Sequence, residues 1–561
     1  KRVVADLPIG VSVNRVSDQP AVVEEAVSGF TTALFEAVVI VLAISFISLG
    51  VRAGLVVAVS IPLVLAITFV FMEYTGISLQ RISLGALIIA LGLLVDDAMI
   101  AVEMMVSRLE AGDNLRKAAT YVYTSTAFPM LTGTLVTVAG FIPIGLNSSA
   151  AGEFTFTLFV VIAVSLVVSW IVAVVFTPLL GVVILPKTMK SHHEQKGRTA
   201  RAFAWLLLIA MRWRWLTIGA TVLVFGASIG GLGLVQQQFF PASDRVELII
   251  DWSLPQNSTI AETNRQMAQF EKDKLVGNGD IDHWSTYVGE GAPRFILSYD
   301  VQSPASWFGQ TVIVAKDVEA RNRLKDDLQS YLSQTFPGTD AFVKLLDIGP
   351  PVGKPVQYRI SGPDVQKVRQ YAQQFGTIIS SNPLLSNMTY DWNEPSRVVK
   401  VDVLQDKARQ LGVSSQDIAT LLNDIVEGTS TTQIRDDIYL IDVIGRAEDV
   451  ERGSIETLKN LQLAGSNGKS VPLSAVAKFR YELEQPMIGR RDRIPTITIK
   501  AAVLGTTQPA TIVERLKPEV AKFTETLPAG YKVEISGSVE SSADAQGPIA
   551  AVAPMMLLAM A

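Results

Sequence analysis

Two adjacent carboxylates occupy the middle of the stretch Gly92-Leu93-Leu94-Val95-Asp96-Asp97-Ala98-Met99-Ile100. The apolar run around them covers about residues 83–106 and contains no Lys or Arg. At a rise of about 1.5 Å per residue, such a run is long enough to cross a hydrocarbon core of roughly 30 Å, so it predicts a membrane-spanning helix. An ionised Asp at the centre of such a helix costs roughly 2.5–3.5 kcal/mol. Asp96 and Asp97 therefore indicate a proton or ion pathway.

Two simpler interpretations compete with a pathway. The two acids could be protonated and merely hold helices together, or the run could be a buried helix of a soluble protein. The neighbouring segments are also of membrane length, which disfavours the second interpretation. Successive helical residues point about 100° apart, so each carboxylate should have its own partner. Like charges this close also disfavour double ionisation, which makes a protonated state plausible.

Composition supports a membrane protein with a large aqueous part. The chain has 561 residues, of which 49% are hydrophobic and 18% charged, and its mean hydropathy is +0.34. The net charge of -5 gives no reason to expect a nucleic-acid partner. The absence of cysteine excludes disulfides, thiolate metal sites and cysteine nucleophiles. His192 and His193 are adjacent in a basic stretch and His283 stands alone, so we expect no metal site and no cofactor.

Hydropathy predicts six spans, and the connections predict their orientation. The predicted spans are residues 31–49, 53–72, 83–106, 125–146, 154–185 and 215–235. Arg52, the three basic residues that follow the Asp helix and the seven in the connector 186–214 all lie on one side, whereas the other side carries only Arg81. Positively charged loops face the cytoplasm. The soluble region 236–547 should then lie in the periplasm, and residues 201–208 could form a helix on the inner membrane surface or an ordinary loop.

The soluble region predicts two split β-α-β-β-α-β units. In the first, strands at 246–250, 311–315 and 342–345 alternate with helices at 258–275 and 318–336, with one more strand between its halves. The second contains strands at 356–360, 496–500 and 531–535 and helices at 364–380 and 510–526. An insertion at 394–493 interrupts the second unit, with helices at 404–411 and 415–425 and a hairpin turn at Asn467-Gly468.

Both chain ends and a short repeat predict a longer polypeptide. The chain opens at Lys1 and stops inside an apolar run, 548–561, which at 14 residues is too short to span a membrane. Leu527-Pro528-Ala529-Gly530 repeats the pattern of Leu7-Pro8-Ile9-Gly10, and each leads towards a span. We therefore expect two tandem halves, of which this chain contains slightly more than one.

At this point the chain resembles the resistance-nodulation-division (RND) transporters, specifically the hydrophobe/amphiphile efflux branch of AcrB- and MexB-like multidrug transporters. The residues that carry the resemblance are Gly92 to Ala98 with Val102-Glu103, Phe239-Phe240-Pro241, Leu411-Gly412-Val413 and Val471-Pro472-Leu473. The sequence of residues 98–105 is similar to that of the triclosan-exporting subtype.

The resemblance implies a fold, a localisation and partners. The fold class would be a polytopic α-helical membrane bundle with α+β, ferredoxin-like porter subdomains and an inserted docking subdomain. The protein would be a homotrimer in the bacterial inner membrane that works with a periplasmic adaptor, an outer-membrane channel and amphiphilic small molecules. The implied divisions are a porter end (1–28), helices two to six (29–185), the connector (186–214), helix seven (215–235), one porter subdomain (236–348), another (349–393 and 494–547), the docking subdomain (394–493) and the start of helix eight (548–561).

The resemblance also implies site residues. Asp96 and Asp97 would translocate protons together with a Lys on the tenth helix, which lies outside this sequence, and Glu103 would be interfacial rather than a relay. Four rings between Tyr287 and Gln310 would contact substrate: Phe295, Tyr299, Trp307 and Phe308. Aromatics interleaved with Gly and Pro suit varied amphiphiles, although these rings could simply pack beneath the sheet.

Three other functions compete with drug export. A heavy-metal exporter would need clustered methionines, but Met267, Met388 and Met487 are isolated in the soluble region. A membrane-anchored enzyme would need a catalytic motif, and 236–547 contains no GxSxG, HExxH or P-loop. An assembly or translocation scaffold remains open, because related folds help to move polypeptides.

Overall fold

The computed structural model describes residues 8, 13, 15–186, 198–231, 243–347, 349, 352–465, 468–505 and 507–561. A helical bundle comes first, and two sheet-containing units follow it. The helices of the first part are α1 (Gln19–Leu49), α2 (Val51–Thr75), α3 (Arg81–Glu110), α4 (Leu115–Gly140), α5 (Ile142–Gly145), α6 (Ala150–Ile171), α7 (Thr177–Ile184), α8 (Arg198–Arg212) and α9 (Arg214–Gly231). A π-helical turn, Val172–Phe176, joins α6 to α7.

The helix α3 occupies the centre of the bundle because its buried residues recur every three or four positions. Leu84, Leu87, Leu91 and Leu94 are at most 3% exposed and form one stripe. This stripe packs among α1, α2, α4 and α6. The apolar residues of the Asp helix are therefore the core of the bundle, and the two acids lie beside that core.

The described residues contain six helices that are long and apolar enough to cross a membrane: α1, α2, α3, the α6–α7 segment, α9 and a last helix, α19 (Ser538–Met560). Two boundaries differ from the predictions here. The predicted span 125–146 covers the later part of α4, which begins ten residues earlier, together with the short α5, and α4 is not among these six helices. The run 548–561 is part of the 23-residue α19, which begins at Ser538.

Other helix boundaries also differ from the predictions. The first helix begins at Gln19 rather than residue 31, because Asp18 caps its N-terminus and accepts a hydrogen bond from the Ala21 amide. The helix α2 runs continuously through Pro62. The connector contains the helix α8, whereas residues 187–197 and the predicted end of the last span at 232–235 lie outside the described residues.

The first split unit is confirmed as a four-stranded antiparallel sheet covered by helices on one face. Its strands are β1 (Glu247–Ser253), β2 (Ile281–Val288), β3 (Phe308–Ala315) and β4 (Asp340–Leu345), in the order β2-β3-β1-β4. Its helices are α10 (Ile260–Phe270), extended by a π-helical turn at Glu271–Leu275, and α11 (Val318–Thr335). Even-numbered residues of β1, such as Leu248 and Trp252, pack against these helices. Asp251 and the other odd-numbered residues face the opposite side.

The second split unit is also confirmed, and the insertion interrupts it as predicted. Its five-stranded sheet contains β5 (Val356–Ser361), β6 (Leu385–Tyr390), β13 (Arg490–Arg491), β14 (Ile494–Val503) and β15 (Lys532–Gly537), with β13, β14, β5 and β15 in order and β6 also pairing with β14. The covering helices are α12 (Val365–Ser380) and α18 (Pro509–Glu525). Because β13 belongs to this sheet, the insertion ends before residue 490 rather than at 493.

The insertion is built on two paired strands, β7 (Ser396–Val403) and β12 (Ala477–Glu484). Between them lie α13 (Gln405–Gln410), α14 (Ser415–Val426), β8 (Thr429–Asp436), β9 (Tyr439–Gly445), α15 (Asp449–Arg452), α16 (Ile455–Lys459), β10 (Gln462–Ala464), β11 (Ser470–Pro472) and α17 (Leu473–Val476). The strands β10 and β11 pair as a hairpin, although Asn467 of its predicted turn lies outside the described residues. The sequence analysis did not predict the exposed hairpin β8–β9.

Candidate functional site

Asp96 and Asp97 lie at a groove of about 380 Å³ between α3 and α4. Asp97 is half-buried and interacts with the hydroxyl groups of Thr134 on α4 and Ser169 on α6. Asp96 is exposed at the groove. The two acids therefore have different surroundings, as the helical spacing predicts. Within the described residues, neither carboxylate forms an ion pair.

The wall of this groove is more polar than the rest of the bundle. The helix α4 lines it with four hydroxyl side chains, Ser125, Thr126, Thr134 and Thr137. Across from the groove, Trp170 on α6 donates to the carbonyl of Ala127 at 2.8 Å and so fixes α4 against α6. A hydroxyl group can accept a hydrogen bond from a neutral carboxylic acid or donate one to a carboxylate. The hydroxyls of Thr134 and Ser169 donate to the carbonyls of Met130 and Leu94, so they can accept a hydrogen bond from a neutral Asp97 and would have to turn to donate to its carboxylate.

A second cavity, of about 410 Å³, separates the two split units; we call it the cleft. Its walls are the faces of the two sheets that carry no helices. Ile249, Asp251 and Ser253 of β1 form one wall. Gln357 and Arg359 of β5 form the other, together with residues of β6, β14 and β15. The cleft thus lies where two open sheet faces meet.

The structure divides the four predicted aromatic residues between the cleft and its surroundings. Tyr299 and Phe308 line the cleft. Phe295 packs against Tyr299 with ring centroids 5.2 Å apart, and Trp307 packs against Phe308 at 6.5 Å, but neither of these outer rings lines the cleft. Tyr299 is only 2% exposed. It therefore both covers the sheet and borders the cleft, so the two interpretations of these rings are compatible.

The helix α19 connects the cleft to the bundle. Glu540, in its first turn, lines the cleft and accepts a hydrogen bond from Arg359 at 2.7 Å. Further along, the carbonyl of Ala545 accepts a weak hydrogen bond of 3.4 Å from Asn147, and α19 packs against α4, α5 and α6. One helix thus contacts both the cleft and the wall of the Asp groove.

Comparison with known proteins identifies the family. The AcrB/AcrD/AcrF family matches residues 1–561. The chain belongs to this family of the RND superfamily. It is 26% identical over 95% of its length to the solvent-resistant pump membrane transporter SrpB of Pseudomonas putida, covering 52% of that protein. It is 22% identical over 82% of its length to the swarming motility protein SwrC of Bacillus subtilis, covering 44%.

The fold of this AcrB/AcrD/AcrF-family chain is also that of a solved relative. The crystal structure of a heavy metal efflux pump superposes on 99% of the chain and 56% of that pump, with a TM-score of 0.79 and 21% identity. The predicted fold class, a helical membrane bundle with α+β porter-like units, is confirmed. The chain spans about half the length of the curated relatives that it matches.

Sequence analysis of this RND-family chain missed the hydroxyl groups around Asp97. Thr126, Thr134 and Thr137 recur at intervals of three to eight residues along one predicted span, and this polar stripe was the available signal. Ser169 carried a weaker signal, because only Ser165, one turn earlier, accompanies it in an otherwise apolar span. Its position opposite α3 becomes visible only when the helices pack, where it also donates to the carbonyl of Leu94 at 3.0 Å.

Proposed function

We propose that the complete protein is a proton-driven antiporter that exports amphiphilic small molecules across the inner membrane of a bacterium. Membership of an RND transporter family supports transport as the function. The observation that carries the proton step is the pair Asp96 and Asp97, placed at a groove inside the helical bundle beside hydroxyl groups. A proton neutralises a carboxylate and removes its attraction for cations, so the α3 helix has two charge states with different preferred packings.

We propose that the cleft receives the exported molecules. Phe342 is the half-buried aromatic ring of its lining, whereas Tyr299 and Phe308 are 2% and 6% exposed and border it only at their edges. Together with the polar side chains of the cleft, these rings suit molecules with an apolar body and a polar end. Resemblance to the family further supports a homotrimer whose docking subdomain meets a periplasmic adaptor and an outer-membrane channel. In this arrangement the two split units and the insertion lie in the periplasm.

Asp97→Asn tests the proton step. Asn keeps the size and hydrogen bonds of Asp97 but cannot release a proton, so we expect export to fall to background while the protein still assembles. The measurement is accumulation of a neutral lipophilic dye, Nile red, in cells that express the complete protein, with and without an uncoupler. Glu103→Gln is the matched control, because Glu103 is an exposed acid on the same helix that does not line the groove, and it should retain export. Wild-type export by Asp97→Asn would remove the pair from the mechanism.

Heavy-metal export is the second candidate function, and the shared fold with a heavy metal efflux pump is the observation that favours it. Soft metal ions select thioether and thiolate ligands. Met267 is buried in the core of the first split unit and Met388 packs against the core of the second. The described residues contain no group of three or more His, Cys, Asp or Glu that could hold a metal ion. Susceptibility of the same cells to copper and silver salts distinguishes the two candidates.

A further inference from the structure

The charged side chains of the cleft are almost all committed to partners. Three ion pairs cross or border it: Asp251 with Lys344 at 2.5 Å, Asp340 with Lys354 at 2.9 Å, and Glu540 with Arg359 at 2.7 Å. Each carboxylate uses both of its oxygens, because Gln310 also donates to Asp251, Lys354 donates to both oxygens of Asp340, and Ser536 also donates to Glu540. These three acids have little capacity left for a ligand.

The other two acids of the cleft are also accounted for. Asp347 accepts a hydrogen bond of 3.0 Å from the amide of Val352, and burial raises the pKa of its carboxyl, which disfavours the charged form. Asp300 is exposed to solvent and accepts a hydrogen bond from the side chain of Gln302. Asp347 is therefore held by a backbone hydrogen bond, and the charge of Asp300 is screened by solvent.

Lys500 differs from all of these residues. It lines the cleft from β14, it is half-buried, and its side chain forms no hydrogen bond and no ion pair within the described residues. In the sheet it lies directly opposite Thr389 of β6, so the two side chains share one face. Thr389 in turn accepts a hydrogen bond of 3.0 Å from Lys354. Two ammonium groups thus lie near one hydroxyl group at the base of the cleft.

Electrostatics around Lys354 support the same picture. Burial lowers the pKa of Lys354, Asp340 opposes this change, and the charge of Lys500 acts in the same direction as burial. A negative group between the two lysines would relieve this repulsion. Apolar surface lies alongside, because the Phe342 ring is 5.5 Å from the ammonium of Lys354 and also lines the cleft.

We propose that the cleft binds amphiphiles with an anionic end, whose carboxylate or sulfonate pairs with Lys500 while the apolar part lies against Phe342, Phe308 and Tyr299. This inference rests on the proposed export function and names its substrate class. It assigns Lys500 as the residue that selects charge, because the other cationic groups of the cleft are already neutralised by carboxylates. Neutral amphiphiles would use only the apolar part and would not depend on Lys500.

The test compares dansyl-labelled undecanoic acid with its methyl ester, which differ only in the negative charge. Binding of each probe to the purified complete protein in nanodiscs is measured by dansyl fluorescence, and the signal from empty nanodiscs is subtracted. Lys500→Gln should weaken binding of the acid at least about tenfold, because it removes a charge-assisted contact, and should leave the ester unchanged. Lys500→Arg should keep most of the affinity for the acid. Lys522→Gln, on the exposed side of α18, is the matched control and should change neither.

Three results would overturn the inference. The acid could bind Lys500→Gln as tightly as it binds the wild type. Lys500→Gln could weaken binding of the acid and binding of the ester equally. A dansyl-labelled alkylammonium of the same length could bind the wild type more tightly than the acid does. The proposed function fails separately. If binding of the acid does not depend on Lys500 while Asp97→Asn still abolishes export, the anion site is wrong and the transporter function stands. If Asp97→Asn exports normally, the proton mechanism is wrong, independently of the binding results.

Discussion

At the scale of single residues, Gln310 organises the wall of the cleft. Its side chain is fully buried, and its oxygen accepts hydrogen bonds from the amide of Ala292 at 2.8 Å and from the Tyr299 hydroxyl. Its nitrogen donates to Asp251 at 2.7 Å. Burial raises the pKa of Tyr299 to about 12, so the phenol is neutral and can act as the donor. One amide thus fixes the loop 289–307, an aromatic ring and a carboxylate.

Gln310→Leu should therefore destabilise the soluble region. The substitution leaves a buried amide, a buried hydroxyl and a carboxylate each short of one partner, and we expect a loss of about 2–4 kcal/mol. The measurement is the thermal unfolding of the purified protein. Gln302→Leu is the control, because among the described residues the Gln302 side chain hydrogen-bonds only to Asp300, and its melting temperature should stay near that of the wild type. Equal melting temperatures for both variants would contradict this role of Gln310.

At the scale of elements, the α6 helix begins where the chain is too crowded for a side chain. Ser149 caps this helix by accepting a hydrogen bond from Gly152 at 3.2 Å. A Cβ atom on Gly152 would lie 1.9 Å from the carbonyl oxygen of Asn147 and 2.7 Å from its carbon. These are backbone atoms, which cannot move aside as a flexible side chain can.

Gly152→Ala should consequently displace the start of α6 and cost at least about 1–3 kcal/mol. The control is Gly226→Ala within α9, where a Cβ atom would meet nothing within 4 Å and Ala should stabilise the helix by up to about 1 kcal/mol. The two variants should move the melting temperature of the purified protein in opposite directions. A Gly152→Ala protein as stable as the wild type would show that the 146–150 turn adapts freely.

Patterns within an element were visible in the sequence, and contacts between elements were not. The split units were predicted because each strand and helix has its own periodicity, as in β1 and α12. The hairpin β8–β9 was missed because all its residues are exposed, so no alternation of buried and exposed residues marks it. The start of α4 was missed because Arg116 and Lys117 lie in its first turn, and basic residues indicate a connection rather than a span. The cleft could not be predicted, since Asp251 and Lys344 meet only when distant strands pair.

At the scale of the whole molecule, one continuous set of contacts joins the Asp groove to the cleft. The helix α4 lines the groove and packs against α19, and α19 begins with Glu540, which binds Arg359 at the cleft. Arg491 also approaches Glu540, at 3.6 Å. Two arginines of the second sheet therefore hold this carboxylate at the start of α19.

Spatial continuity alone does not establish coupling, so the ion pair between Glu540 and Arg359 has to be tested as an energetic link. Glu540→Gln removes the negative charge but keeps the shape of the side chain. We expect the export rate to fall several-fold, because couplings of this kind are worth roughly 0.5–2 kcal/mol. The melting temperature should stay close to that of the wild type. Glu519→Gln, an exposed acid on α18, which covers the other face of this sheet, is the control and should export normally. The double variant Arg359→Glu with Glu540→Arg should recover part of the rate, since it restores an ion pair in the opposite sense. If Glu540→Gln exports at the wild-type rate, movement of the bundle must reach the cleft through contacts other than this helix start.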